Sequence, residues 1–143
     1  MSKGNTFEND VLALIFNATT IANIAINATS GPLTVLYVSL HTADPGEAGT
    51  QLTNEVTYGS YARVAVNRNS GGWSVSSNSV SPVADISFPT AGSGTMTATH
   101  AAVGTTDTGN AGKILYSGTL SPNIAITTGV TPIITTATTI TED

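Results

Sequence analysis

From residue 33 onward the chain is a series of short β-prone runs separated by turn residues, and no stretch of helical periodicity intervenes. The clearest run is 95–103, TMTATHAAV, where Met96, Ala98, His100 and Ala102 face one way and mostly threonines face the other. Similar runs are read at 33–40, 61–67, 73–75, 83–88, 113–118, 124–127, 130–134 and 136–141. They recur at roughly 8 to 12 residues, the rhythm of a sandwich or jelly roll. Parallel α/β architectures need a helix between strands, and none is encoded here. The expected fold is therefore all-β: a jelly-roll-like β-sandwich of about eight to nine short antiparallel strands.

One helix precedes it. Phe7, Val11, Leu14, Ile15, Ala18, Ile21, Ala22 and Ala25 share a stripe at helical spacing. Asn5 followed by Glu8 resembles a capping box, and Glu8 and Asp10 suit the positive end of the macrodipole. Asn17-Ala-Thr-Thr20 weakens the helix, and Ser30-Gly31-Pro32 stops it. At 143 residues the chain is expected to be a single domain, 1–143, with 1–30 as arm and helix and 31–143 as sandwich.

Composition narrows the function. Charged residues are 9% of the chain, and Lys and Arg number four, scattered rather than clustered, at a net charge of −5. Nucleic-acid binding by counterion release needs clustered cations, so no nucleic-acid partner is expected. No cysteine is present, which excludes disulfides and thiolate metal sites. No run reaches about 18 apolar residues, so no membrane span is expected. The opening MSKGNTFEND is polar and acidic, unlike a signal peptide. So low a charge favours association, as in a protein whose faces are covered by partners.

The densest candidate for chemistry is His41-Thr-Ala-Asp44-Pro-Gly46-Glu47. Asp-Pro-Gly is a turn signal: the aspartate bonds a backbone N–H two residues on, proline fixes φ, and glycine accepts positive φ. A metal would need further ligands, and the other histidine, His100, lies on a distant strand. The expectation is a core strand ending at His41, a tight turn and an exposed loop, with no metal. Replacing His41 and Asp44 together with Asn should then cost about 1 kcal/mol. Glu47, Glu55, Asp85 and Asp107 fall in or beside loops and read as solvated acids rather than a glycosidase pair. No nucleophile elbow, zinc-helix motif or phosphate loop occurs. His100 reads as a core histidine with a backbone partner. Tyr58 and Trp73 are either interface anchors or lids on the sandwich. No catalytic residue, cofactor or enzymatic activity is expected.

An N-terminal helix, then LTVLYVSLHTADPGEAGTQLTNEVTYGSYARVAV, ISFPT, TATHAAVG, GNAGKILYSGTL and a threonine-rich last strand form a familiar order. Over nearly its whole length the chain resembles small tailed-bacteriophage structural proteins, often labelled tail-fibre proteins, with relatives similar to capsid decoration (cement) proteins. It departs from them after His100, where Ala101, Ala102 and Val103 stand in place of aromatic residues. The resemblance implies a virion component. The leading expectation is a decoration protein on the capsid exterior, bound to the major capsid protein and self-associated as a dimer or trimer. The alternative is a tail-fibre or tail-tip protein acting in host adsorption. The polar arm 1–6 and loop 44–59 are expected to meet neighbours, with Ser2, Lys3, Asn5, Glu47, Tyr58, Arg63 and Arg68 as candidate contacts.

Overall fold

The computed structural model describes residues 5–21 and 33–142. Among them are one helix, α1 (Asn5–Asn17), and nine strands: β1 (Val35–His41), β2 (Val64–Asn67), β3 (Trp73–Ser76), β4 (Ser79–Pro82), β5 (Ile86–Ser87), β6 (Thr95–Gly104), β7 (Ile114–Thr127), β8 (Ile133–Ile134) and β9 (Ile140–Thr141). All pairings whose register is resolved are antiparallel. The fold is thus mostly β behind a single N-terminal helix, the class expected, and is consistent with a β-sandwich. The chain forms two compact units, one from Met1–Val35, Val66–Asp85 and Thr135–Asp143, the other from Leu36–Ala65 and Ile86–Ile134. Each unit draws on separated segments, so no single cut in the chain isolates either.

In the first unit α1 packs on the β3–β4 hairpin, and β9 extends that sheet in the order β3-β4-β9. The helix buries Glu8, Leu12 and Phe16, and Phe16 meets Trp73 edge-on at 4.8 Å. The expected stripe is therefore displaced by one residue. Phe7 is 43% exposed, and Val11, Leu14 and Ile15 are half-buried. Apolar residues cover so much of this helix that periodicity alone does not pick the docking face; the aromatic pair does. The helix ends at Asn17, at the start of the stretch expected only to weaken it; the expected stop at Ser30-Gly31-Pro32 lies outside the described residues. Ala18 adopts φ +55, and the Thr19 N–H reaches back to the Ala13 carbonyl. The Arg68 guanidinium donates to the Leu14 and Ile15 carbonyls, satisfying acceptors that a helix end leaves open.

β1 and β6 lie at the centre of a sheet ordered β2-β1-β6-β7, with His41 opposite His100; β6, β7 and all of β1 but Val35 belong to the second unit, whose first segment ends within β2 at Ala65. β7 continues through the two runs expected at 113–118 and 124–127. Its register jumps from Thr119 opposite His100 to Ile124 opposite Ala98, so that the residues between bulge outward from β6. β5 pairs with β8, and Phe88 and Ala91 continue that ribbon to Pro132 and Val130. Strand β4, SVSP, carries too little apolar character to stand out in the sequence. The expected strand at 83–88 is reduced to Ile86–Ser87.

Candidate functional site

Around the end of β1 the second unit gathers a buried polar cluster. Strand alternation turns Ser39 and His41 to the same side, and both have 0% exposure. The loop after β1 folds back along it: Thr42 N–H donates to Asn54 O, Val56 N–H to Leu40 O, and His41 bridges Glu55. At its tip the Gly46 N–H donates to Asp44 Oδ1 at 2.8 Å, and Gly46 takes φ +71. This is the Asp-Pro-Gly turn read from the sequence.

Glu55 anchors the cluster. Its Oε1 accepts from Arg63 Nε at 2.7 Å and Tyr61 Oη at 2.8 Å, and its Oε2 from Arg63 Nη2 at 2.8 Å. The two side chains are 2% (Arg63) and 7% (Glu55) exposed. The remaining guanidinium hydrogens go to Thr106 O, Thr106 Oγ1 and Gly109 O, tying down the 105–112 loop. Gln51, also fully buried, accepts from Thr106 N and Oγ1. The Tyr61 hydroxyl accepts from Leu40 N–H while donating to Glu55.

Hydrogen-bond supply fixes the tautomers. His41 Nδ1 faces the Thr53 carbonyl at 2.8 Å and must donate to it, so Nε2 accepts from Ser39 Oγ at 2.9 Å. Thr99 Oγ1 donates to Thr42 O, so His100 Nδ1 donates to Thr99 Oγ1. Burial holds His41 below its usual pKa, against the Thr53 bond and the Glu55 charge that favour the imidazolium. Burial drives the Tyr61 phenol far above its ordinary value, and Arg63 is pushed up by its bonds to Glu55. One guanidinium and one carboxylate cancel, and the imidazole and phenol stay neutral.

Ser39–His41 beside a carboxylate has the ingredients of a nucleophile–base pair. The arrangement does not perform that chemistry. The nitrogen a carboxylate would have to orient faces a backbone carbonyl, Glu55 is engaged by Arg63 and Tyr61, and neither Ser39 nor His41 reaches solvent. Four expectations change. Glu55 is a buried ion-pair partner rather than a solvated acid. The 44–59 loop is exposed only in part, since Gln51, Val56 and Tyr58 are buried. Replacing His41 cannot be cheap, because both ring nitrogens are bonded inside the unit. His100 is half-buried, and its partners are the Thr99 and Thr119 hydroxyls rather than the backbone.

The other candidate contacts are dispersed. Ser2 and Lys3 lie outside the described residues, and Asn5 opens α1. Glu47 is exposed on the turn. Tyr58 is buried, donating to Pro89 O at 2.8 Å, and Trp73 is a core residue. Arg63 and Arg68 bond within their own units. Among the described residues no group of three or more metal-ligating side chains occurs, and no helix is long and apolar enough to cross a membrane. Nothing in the sequence pattern marked the Glu55–Arg63–Tyr61 cluster beyond Tyr61 and Arg63 falling on one side of the run read at 61–67. What the cluster does chemically is fasten two loops to the end of β1.

Residues 3–141 match the family described as Podophage GP4 fiber I protein gp80. The chain belongs to this family. No curated protein matches it. The match spans α1 through β9, so the GP4 fiber I family relationship covers both compact units and the whole buried cluster. It establishes a small tailed-phage structural protein, as the resemblance implied.

Proposed function

We propose that this protein is a non-enzymatic subunit of a podophage virion fibre, held in the particle by contacts with itself and with neighbouring virion proteins. The observation that carries this reading is the match of residues 3–141 to a fibre-protein family. The chemistry of the site supports it. The one carboxylate inside the polar cluster is locked by Arg63 and Tyr61, and the cluster's fixed bonds suit a rigid building block.

A second reading, a decoration protein on the capsid exterior bound to the major capsid protein, is favoured by the charge-poor composition of so short a chain, 9% charged over 143 residues. Copy number separates the two. Densitometry of purified virions should give a few to tens of copies for a fibre subunit and hundreds for a decoration protein. Gold-labelled antibody should mark the tail for the first and the whole head for the second. Absence from purified virions would refute both.

A further inference from the structure

The β3–β4 hairpin turns in two residues, Ser77 and Asn78, between the facing pair Ser76 and Ser79. Ser77 takes φ +54, and glycine is the ordinary residue where so tight a hairpin demands positive φ. A serine held there is strained. Strain kept at an exposed turn points to a use for the side chain that causes it.

The turn forms one wall of a cleft of about 470 Å³, whose lining among the described residues is Thr6, Asn9, Ser77 and Asn78. All of them belong to the first unit. Thr6 and Asn9 are three apart on α1 and so neighbour each other on one side of it. Among the described residues the side chains of Thr6, Asn9 and Ser77 make no hydrogen bond. Asn78 is fixed by the main chain of Glu142: its Nδ2 donates to Glu142 O at 3.2 Å, and its own carbonyl accepts from Glu142 N–H at 2.8 Å. Its Oδ1 stays open. Two hydroxyls, one whole amide and one amide oxygen therefore border a common space with their bonding capacity unspent.

The lining selects the class of ligand. The volume lies within the roughly 300–1,000 Å³ of small-molecule sites, so a lone ion would be loose in it. Such sites are ordinarily walled by large apolar and aromatic side chains, and the described lining has neither. It holds no cation for a phosphate or carboxylate and no acid for an amine. What remains is a neutral molecule dense in groups that both donate and accept, the capacity that hydroxyls and carboxamides match. We propose that this cleft binds an uncharged saccharide, its ring hydroxyls bridging α1 and the β3–β4 turn. The proposal stands whether the protein belongs to tail or head.

Amide NMR on the full chain, titrated separately with D-glucose, D-galactose, D-mannose and N-acetyl-D-glucosamine to about 50 mM, should give a Kd of about 1–10 mM for at least one of them. The shifts should cluster on Thr6, Asn9, Ser77 and Asn78 and include the side-chain amides of both asparagines. Ser77→Gly removes the hydroxyl and relaxes the turn, so it should raise Tm and yet weaken that sugar by about fivefold or more. Asn9→Ala should weaken it to a similar degree with the fold retained. A serine kept for conformation alone would give no loss of affinity in Ser77→Gly. Absence of clustered shifts with every sugar at the top concentration would overturn the proposal, as would wild-type affinity in both variants. So would sodium phosphate, or the capped neutral peptide Ala-Ser-Ala, shifting the same amides more strongly than any sugar.

Discussion

Removing Arg63 tests whether the buried cluster holds the second unit together. In Arg63→Ala the Glu55 carboxylate, 7% exposed, keeps one hydrogen bond from Tyr61 and loses the two from the guanidinium. The Thr106 and Gly109 carbonyls lose their donor at the same time. Breaking a buried ion pair from one side costs about 3–5 kcal/mol, because a charge stays behind without its partner. Domains of this size are stable by about 5–15 kcal/mol in total. The variant should therefore lose at least about a fifth of wild-type stability, and lose order first in the 105–112 loop. Urea unfolding followed by circular dichroism gives the total, and hydrogen exchange on the Thr105–Lys113 pairing gives the location. Converting both partners, Arg63→Met with Glu55→Leu, should recover much of the loss, since a buried pair replaced by apolar groups is often neutral or better. A single-variant cost below about 1 kcal/mol, the range of exposed pairs, would refute the claim that this pair is desolvated and structural.

Burial depresses the His41 pKa below 6.5, so the unfolded chain binds the proton more readily and stability is full above about pH 6.5 and declines as pH falls below it; His41→Gln should flatten that limb of a pH-dependent thermal melt. Asp44→Asn should cost under about 1 kcal/mol, because asparagine can still accept from Gly46 N–H, whereas His41→Asn should cost about 1–3 kcal/mol by stranding the Thr53 carbonyl, Ser39 Oγ still having the Ala102 carbonyl to donate to; a His41→Asn cost no larger than that of Asp44→Asn in urea titrations would contradict the assigned bonds. Raising salt from about 0.1 to about 1 M, which shortens the Debye length from about 10 to about 3 Å, should release little protein from purified virions if the contacts are uncharged; quantitative release would mean that they are ionic.

The sequence made strand-rich architecture legible because period-2 alternation and turn chemistry are local. The helix and its weak point at Asn17, β1 with its Asp-Pro-Gly turn, and β6 were all readable from neighbours within a few positions. What escaped depended on distant partners. The docking face of α1 is decided by Trp73, far along the chain, so the stripe drawn from periodicity chose the wrong neighbour of Leu12 and Phe16. Strand β4 exists because Trp73–Ser76 and Thr141 pair with it, not because Ser-Val-Ser-Pro has much β preference of its own.

The polar cluster escaped for a related reason. A lone Glu in a loop is normally solvated, and only the fold reveals that the loop doubles back along β1 and carries Glu55 to Arg63. The consequence reaches the surface. Of four basic side chains, Arg63 is enclosed by its own unit, and Arg68 donates to helix carbonyls in the other. Lys113 is the one exposed basic residue among the described residues. The exterior is thus poorer in positive charge than the composition suggests. The charge offered to a neighbour is mostly acidic, from Asp44, Glu47, Asp85 and Asp107, set among threonine hydroxyls and scattered apolar side chains such as Phe7 and Leu52.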